Sequence, residues 1–142
     1  MSLSHIDVSN EMPILETGGC RATREILDRI GDKWSLYIIA LLANGPLRFN
    51  ELKRRIEGIS QRMLTLTLRG LERDGLISRT IFATIPPRVD YALTALGTTL
   101  LVPVMALVNW ANDNQRHIGD AHRRYDEKLE SVSTASVNHQ QK

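Results

Sequence analysis

Two short amphipathic helical patterns, separated by a glycine in the middle of the chain, constrain its fold more than any other feature. The first pattern places Phe49, Leu52 and Ile56 on one helical face and stops at Gly58. The second begins at Ser60, a residue type that favours the N-cap of a helix. It continues with Leu64, Leu68 and Leu71 and stops at Asp74-Gly75. Two such helices joined by a short turn that contains glycine are typical of a helix-turn-helix.

After this helix pair, the apolar residues no longer recur at helical spacing and instead tend to occupy every second position. The segment from Leu76 to Phe82 is rich in β-branched and aromatic residues, and the segment from Val89 to Leu93 alternates apolar with small or polar residues. Pro86 and Pro87 lie between them and cannot donate to a strand ladder, so they belong to the tip of the connection. The sequence therefore predicts a β-hairpin, or wing, directly after the second helix.

Two further helices are predicted ahead of the pair. Ile26, Leu27 and Ile30 recur at helical spacing in a short segment. Asp32 then occupies an N-cap position before a largely apolar segment, residues 34–42. An Asn-Gly-Pro sequence closes this segment, because glycine tolerates the left-handed C-cap and proline cannot continue a helix. We expect the second of these helices to be the core helix.

An uncharged stretch follows the wing, from Tyr91 to Asn112. Its threonines, asparagines, glycine and proline argue against a span of a bilayer, which needs about 20 predominantly apolar residues. We predict instead a long helix that is capped by Thr94, bent at Pro103 and apolar on more than one face. A chain this small cannot easily bury both faces, so the surplus predicts a partner subunit. Behind it we expect a further helix that reaches Leu129 and then a polar tail.

The charge of the chain is concentrated in its middle third. The 142 residues fit one domain, and their net charge is only +2. Residues 44–91 nevertheless carry nine Lys and Arg against five Asp and Glu, a local charge of +4. An excess of this sign is typical of a surface that binds phosphate, and equally of an ordinary solvated face.

The second helix of the pair carries the side chains that a major-groove helix uses. Arg binds guanine through two hydrogen bonds, Gln binds adenine, and Thr contacts a base or a thymine methyl group. The first turns of a recognition helix meet the base edges, so we expect Gln61, Arg62 and Thr65 to contact bases. Arg88, at the wing tip, is expected in a minor groove or on the DNA backbone. The complete predicted DNA-binding set is Arg48, Ser60, Gln61, Arg62, Thr65, Arg69 and Arg88.

Two other functions compete with DNA binding, namely catalysis and the binding of other proteins. An enzyme would need Cys20 as a nucleophile and a histidine as its base, but His5, His117, His122 and His139 lie in peripheral segments without an orienting acid. We therefore expect no catalysis, no metal and no cofactor. The alternative is a winged helix that contacts proteins without binding specific DNA, because one fold serves both functions. With a single cysteine and no apolar segment of a signal peptide near Met1, we expect a cytoplasmic chain without disulfides.

From Cys20 to Ala111 the chain resembles the HxlR-type winged-helix regulators. The segment "LDRIGDKWSLYIIALLANGPLRFNELKRRIEGISQRMLTLTLRGLERDGLISR", followed by "PPRVDYALTALG", matches their pattern almost continuously. The resemblance implies a mainly α fold with a small β-hairpin: a winged helix-turn-helix with dimerisation helices at both ends. It also implies a homodimeric transcription factor on double-stranded DNA, at an inverted-repeat operator, with repression the commoner mode. The implied dimerisation residues are Ile26, Leu27, Leu100, Leu101, Val104, Leu107, Val108 and Ala111.

The resemblance leaves three points open. The family often has a polar residue where this chain has Leu66, so a thymine contact and a packing change are both open. The predicted domain spans residues 20–118. Residues 1–19, a predicted flexible arm, lie outside the family pattern. The end of the predicted C-terminal helix and tail, residues 119–142, also lies outside it. Many relatives carry a cysteine at the position of Cys20, and some of them sense electrophiles or oxidants. Arg21 and Arg24 beside it favour a thiolate, but a buried structural cysteine is the other interpretation.

Overall fold

The structure is a computed structural model that describes residues 21–139, with side chains to residue 137. The predicted arm and the sensing role of Cys20 lie outside the described residues. Those residues form two units, one ending at Val104 and one beginning at Met105, which are described separately.

The first unit begins with the two predicted helices. Helix α1 spans Arg21–Ile30 and helix α2 spans Lys33–Leu41, with a short 3-10 turn at Leu42–Asn44 behind it. The backbone N–H of Trp34 donates to the carboxylate of Asp32 at 3.3 Å, which is the predicted cap. Helix α2 is indeed a core helix, whereas α1 has no buried residue.

The helix-turn-helix is confirmed at its predicted place. Helix α3 spans Phe49–Arg55 and helix α4 spans Gln61–Arg73. The hydroxyl oxygen of Ser60 accepts the backbone N–H of Met63 at 3.0 Å and so caps α4. Gly58 in the turn has a φ of 85°, which only glycine adopts without strain.

The core of this unit is formed by one face each of α2, α3 and α4, together with residues in the segments that connect these helices and that follow α4. Leu64, Leu68 and Leu71 of α4 are each at most 2% exposed, as their spacing predicts. The remaining buried apolar residues are Ile38, Ile39, Leu42, Leu52, Ile56, Ile59, Leu76, Ile77 and Val104. Because the leucines anchor one face of α4, its opposite face is fixed toward solvent.

The wing is a three-stranded antiparallel sheet, one strand more than predicted. Strands β1 (Leu47–Arg48), β2 (Ile77–Phe82) and β3 (Arg88–Leu93) lie in the order β1-β3-β2. The two proline residues lie in the connection outside the ladder, as expected. Strand β1 has only two residues, too few for a period of two to be recognised in the sequence.

The prediction of one bent helix after the wing is wrong. Helix α5 ends after only five residues, Ala95–Thr99, and a new helix, α6, spans Leu101–His139. Pro103 is the reason: its ring clashes with the carbonyl four residues earlier, that of Thr99, and its nitrogen cannot donate to it. In the first turn of α6 the same missing N–H costs nothing, because it would be unpaired there.

The segment that was predicted as a polar tail is helical as far as His139. Helix α6 continues without a break across residue 118 and through the segment that begins at Ser131. Beyond Pro103 this helix contains no further proline and only one glycine, Gly119, so little in its sequence opposes helix formation.

Candidate nucleic-acid interface

Helix α4 presents polar side chains on the face opposite its buried leucines and at its N-terminal end. Arg62 and Arg69 are exposed on that face, with Thr65 half-buried between them, and Gln61 is exposed at the N-terminal end. Together with Leu66, which is 47% exposed, they line one shallow open groove along the helix. Four of the seven predicted DNA-binding residues are thus brought together on one surface.

Two hydroxyls on this helix already have backbone partners. Thr65 donates to the carbonyl of Gln61 at 2.9 Å, and Ser60 accepts the capping hydrogen bond described above. The hydroxyl hydrogen of Thr65 is therefore occupied, while its methyl group remains available for an apolar contact such as a thymine methyl. The Ser60 hydroxyl keeps its own hydrogen, with which it can donate to a phosphate oxygen.

Arg48 and Arg88 form a separate group on the sheet, joined by a residue that the sequence did not single out. The Nε atoms of Arg48 and Arg88 lie 3.8 Å and 3.4 Å from the same carboxylate oxygen of Asp90. Arg88 and Asp90, the nearer pair, attract each other electrostatically, but no aligned hydrogen bond joins the Arg88 Nε atom to this carboxylate oxygen. Two guanidinium groups share one carboxylate, so this group keeps a net charge of +1.

The position predicted for Arg88 needs a correction. It lies opposite Phe82 at the last paired position of the hairpin, rather than at its unpaired tip. Its guanidinium stacks on the Phe82 ring, with 4.1 Å between Cζ and the ring centroid. This stacking fixes the direction of the side chain, which the sequence pattern alone could not determine.

A polar cleft of about 410 Å³ between α4 and the sheet contains two functional candidates that the sequence did not indicate, Arg79 and Tyr91. Arg79 of β2 lines the cleft together with Arg69 of α4, which was predicted, and it is paired with Glu72 at 3.3 Å. Tyr91 lies opposite Arg79 in the strand ladder. Burial raises the pKa of the Tyr91 phenol above its ordinary value and outweighs the lowering effect of Arg79. The alternation of β2 placed Arg79 on a face but could not show which helix that face meets.

The predicted dimerisation residues have different surroundings. In the first unit, Ile26 and Leu27 are 58% and 50% exposed, whereas Val104 is only 2% exposed. Val104 therefore packs in the core of its own chain, which its apolar spacing could not distinguish from a partner contact. In the second unit, Leu107 and Ala111 are exposed.

Among the side chains described, residues 21–137, no three His, Cys, Asp or Glu come together in a way that would hold a metal ion. Over the same range, none of the helices combines the length and the apolarity needed to cross a bilayer.

The capped helix pair, the exposed polar face of α4 and the sheet behind it define a winged helix-turn-helix protein of the transcriptional-regulator class. The HxlR-like helix-turn-helix family matches residues 29–119. The chain belongs to this family.

The chain is similar to proteins that are themselves described as regulators. The chain is 40% identical over 105 residues to the uncharacterized HTH-type transcriptional regulator YdeP of Bacillus subtilis, covering 72% of this chain and 82% of YdeP. It is 46% identical over 84 residues to an uncharacterized HTH-type regulator of Methanothermobacter thermautotrophicus, covering 59% of this chain and 64% of that protein. Among solved structures, the redox regulator HypR in its reduced form superimposes with a TM-score of 0.65 at 38% identity, covering 70% of this chain and 98% of that chain.

Proposed function

We propose that the chain is a sequence-specific DNA-binding regulator that inserts α4 into the major groove. The observation that carries this proposal is the row of Arg62, Thr65 and Arg69 along the face opposite the buried leucines, with Gln61 exposed at the N-terminal end of the helix. Gln61, Arg62 and Thr65 lie in the first turns of α4, where a recognition helix meets base edges. Arg69 and the group of Arg48, Arg88 and Asp90 supply positive charge for phosphates.

The regulator is proposed to act as a homodimer on an inverted-repeat operator, most simply as a repressor. In the first unit the exposed apolar side chains of α1 support this proposal. In the second unit Leu107 and Ala111 of α6, both exposed, support it separately. In a dimer of this kind two recognition helices address half-sites about 34 to 36 Å apart, or a multiple of that.

The test is binding to promoter fragments, with Arg62→Ala compared against Arg116→Ala, which removes the same charge from an exposed position on α6. Loss of a bidentate base contact should weaken operator binding by about 5- to 150-fold while binding to unrelated DNA changes little. For the parent protein the logarithm of affinity should fall with the logarithm of salt concentration, with a slope of about −0.9 per phosphate contacted.

Equal affinities of Arg62→Ala and the parent, or a salt slope near zero, would contradict the DNA proposal and favour a winged helix that contacts proteins. The sign of regulation is tested separately with a reporter behind the bound promoter. A repressor predicts higher expression when the regulator gene is deleted.

A second candidate property is a redox response through Cys20. The similarity to HypR, which is named a redox regulator, supports it. A thiolate at Cys20 would be oxidised by hypochlorite to a sulfenic acid, with the oxidant reduced to chloride, and a thiol of a second chain or a small thiol would then condense with it to a disulfide and release water. Release of operator by hypochlorite should occur in the parent and be lost in Cys20→Ser. Equal release by both proteins would remove Cys20 from the mechanism.

A further inference from the structure

A small cavity of about 240 Å³ lies where the turn between α1 and α2 meets α4. It shares no residue with the polar cleft beside the wing, and it borders the open groove of α4 only through Leu66. Three helices and the turn contribute to its wall, through Asp28, Arg29, Asp32, Ser35, Met63, Leu66 and Thr67. We call it the turn cavity.

The most buried polar group in the wall of the turn cavity is the hydroxyl of Ser35. This residue is only 1% exposed, and its Oγ atom has no hydrogen-bond partner among the described residues. A buried hydroxyl without a partner costs free energy, and in native structures such a group normally binds water or a ligand. The Ser35 hydroxyl therefore indicates that a polar group from outside the described chain occupies the cavity.

Two carboxylates give the turn cavity its charge. Asp28, at the end of α1, is exposed, and Asp32, before α2, is half-buried. One oxygen of Asp32 accepts the backbone N–H of Trp34, so the other oxygen can still accept a hydrogen bond from a ligand. Among the side chains of residues 21–137, no ion pair includes either carboxylate.

The neighbouring cations of the chain are engaged elsewhere. Arg29 also lines the cavity, but its Nε atom donates to Asp74 at 2.8 Å, so its charge is already balanced. The ammonium group of Lys33 lies 4.4 Å from the centroid of the Trp34 ring, and Lys33 does not line the cavity. The two carboxylates thus favour a cation that the described chain does not itself supply.

The opposite wall of the turn cavity, formed by α4, is mainly apolar. Met63 and Leu66 line it and are 38% and 47% exposed. Thr67 beside them is buried, and its hydroxyl donates to the carbonyl of Met63 at 2.7 Å, which leaves the oxygen able to accept. A fitting ligand therefore combines a cationic hydrogen-bond donor with a hydrocarbon part.

Neither a metal ion nor water matches this wall as well. Calcium and magnesium require six or more oxygen ligands, whereas two carboxylates and a side of methyl and methylene groups are found here. A water molecule needs only about 30 Å³, carries no charge and gains nothing from Met63 and Leu66. An alkylammonium has three N–H donors, a positive charge and an apolar chain.

We propose that the turn cavity binds a small organic cation of the alkylammonium class. Its N–H groups donate to the carboxylates of Asp28 and Asp32 and to the Ser35 hydroxyl, and its hydrocarbon chain packs on Met63 and Leu66. The inference goes beyond the proposed function and does not rest on it, because the site requires no DNA. It places a ligand against the first half of α4, where Leu66 also borders the proposed DNA surface.

The test titrates n-butylammonium chloride into the full-length protein and follows the backbone amides by NMR. We expect saturable shifts at residues 28–35 and 63–67, with a dissociation constant on the order of 1 mM for so small a ligand. The uncharged analogue n-butanol should bind at least about tenfold more weakly, because it lacks the charge-assisted hydrogen bonds. Sodium chloride supplies the charge without the chain and should give no saturable shifts at these residues.

Two substitutions of matched charge locate the site. Asp28→Asn should raise the dissociation constant of n-butylammonium about tenfold or more, because a hydrogen bond to a charged group is lost. Glu57→Gln removes the same charge from the exposed turn between α3 and α4, outside the cavity, and should change the constant less than about twofold.

Ser35→Ala separates binding from folding, because it is expected to move the two in opposite directions. Removing a buried hydroxyl that has no partner should leave the midpoint of thermal unfolding of the ligand-free protein unchanged or raise it. The same variant should bind n-butylammonium about tenfold more weakly, since the hydroxyl no longer accepts from the ammonium group.

Four outcomes would overturn the inference. They are no saturable shifts up to about 100 mM n-butylammonium, a value far above the expected constant, equal binding of n-butanol, equal effects of Asp28→Asn and Glu57→Gln, and a Ser35→Ala variant that unfolds at a lower temperature than the parent. The last result would show that the Ser35 hydroxyl already has a partner in the empty protein.

Discussion

Arg79 on β2 and Glu72 on α4 form an ion pair across the polar cleft, with 3.3 Å between Nε and Oε2. Both side chains remain partly exposed, at 49% and 36%, so the pair contributes no more than about 1 kcal/mol to the free energy of unfolding. Its position matters more than its energy. The pair connects the wing to the helix proposed to enter the major groove. It also neutralises Arg79, whose guanidinium could otherwise bind a DNA phosphate.

The first prediction concerns this pair. Glu72→Gln removes a negative charge beside the proposed DNA surface and releases Arg79. We expect tighter DNA binding and a salt slope that is steeper by about 0.9, equivalent to one more phosphate contact. The midpoint of thermal unfolding should change little. Glu130→Gln removes the same charge from α6 and serves as the control; weaker binding by Glu72→Gln would contradict the prediction.

The second prediction concerns the close approach of α5 to the wing. A Cβ atom added at Gly97 would overlap the backbone carbonyl of Leu76, which cannot rotate away as a flexible side chain can. We expect Gly97→Ala to lower the free energy of unfolding by about 1 to 3 kcal/mol. At Gly119 no atom lies within 4 Å of the added Cβ, so Gly119→Ala should stabilise its helix by about 0.4 to 1 kcal/mol. Urea denaturation of the two variants measures both effects, and similar values would refute the argument.

The third prediction concerns Thr94, whose hydroxyl makes two hydrogen bonds at once. It donates to the carbonyl of Gly75 at 2.6 Å and accepts the backbone N–H of Gly97 at 3.0 Å. Thr94→Val keeps the shape but leaves both backbone groups without this partner, so we expect a loss of about 1 to 3 kcal/mol in unfolding free energy.

Thr134→Val is the control for this substitution, because the Thr134 hydroxyl only donates to the Glu130 carbonyl on an exposed helix. Its effect should stay within about 0.5 kcal/mol, as for most surface substitutions. A loss in Thr94→Val no larger than in this control would show that the double hydrogen bond does not stabilise the fold.

The fourth prediction concerns the pH dependence of stability at Tyr91. Burial raises the pKa of its phenol above the ordinary value of 10.0, so the folded state favours the neutral form. The resulting stabilisation is complete below pH 10.0 and is lost as the pH rises through the raised pKa of the folded protein. Ultraviolet difference absorbance should show one tyrosine that ionises late, and Tyr91→Phe should remove that component. Tyr91→Phe should also lose less stability at alkaline pH than the parent, and equal losses would contradict the assignment.

Much of the fold could be predicted because its signals are local. The caps at Asp32, Ser60 and Thr94 each bind a backbone N–H two or three residues ahead. The change from helical to alternating spacing after Gly75 likewise requires only neighbouring residues. The break before α6 was missed even though its cause is local, because Pro103 permits either a bend or a new helix start.

The candidate site was predicted where one element contains it and missed where several elements meet. The spacing of α4 is enough to place Arg62 and Arg69 on the exposed face, and Gln61 is placed at the N-terminal end because it is the first residue of the helix. The partnership of Arg48 with Asp90 depends on strand β1, whose pairing partner lies more than forty residues away. No pattern within either segment indicates that pairing, since the register follows from packing of the whole sheet.

By itself, the sequence determined which faces of the helices are apolar, where the helices other than α6 begin and where the chain changes to strands, because these depend on residues a few positions apart. Tertiary structure alone decided that Val104 belongs to the core and that Glu72 forms an ion pair with Arg79. It also decided that the carboxylate of Asp90 lies beside both Arg48 and Arg88. These relationships join residues distant in the chain, and their distances are set only when the hydrophobic core fixes the elements around it.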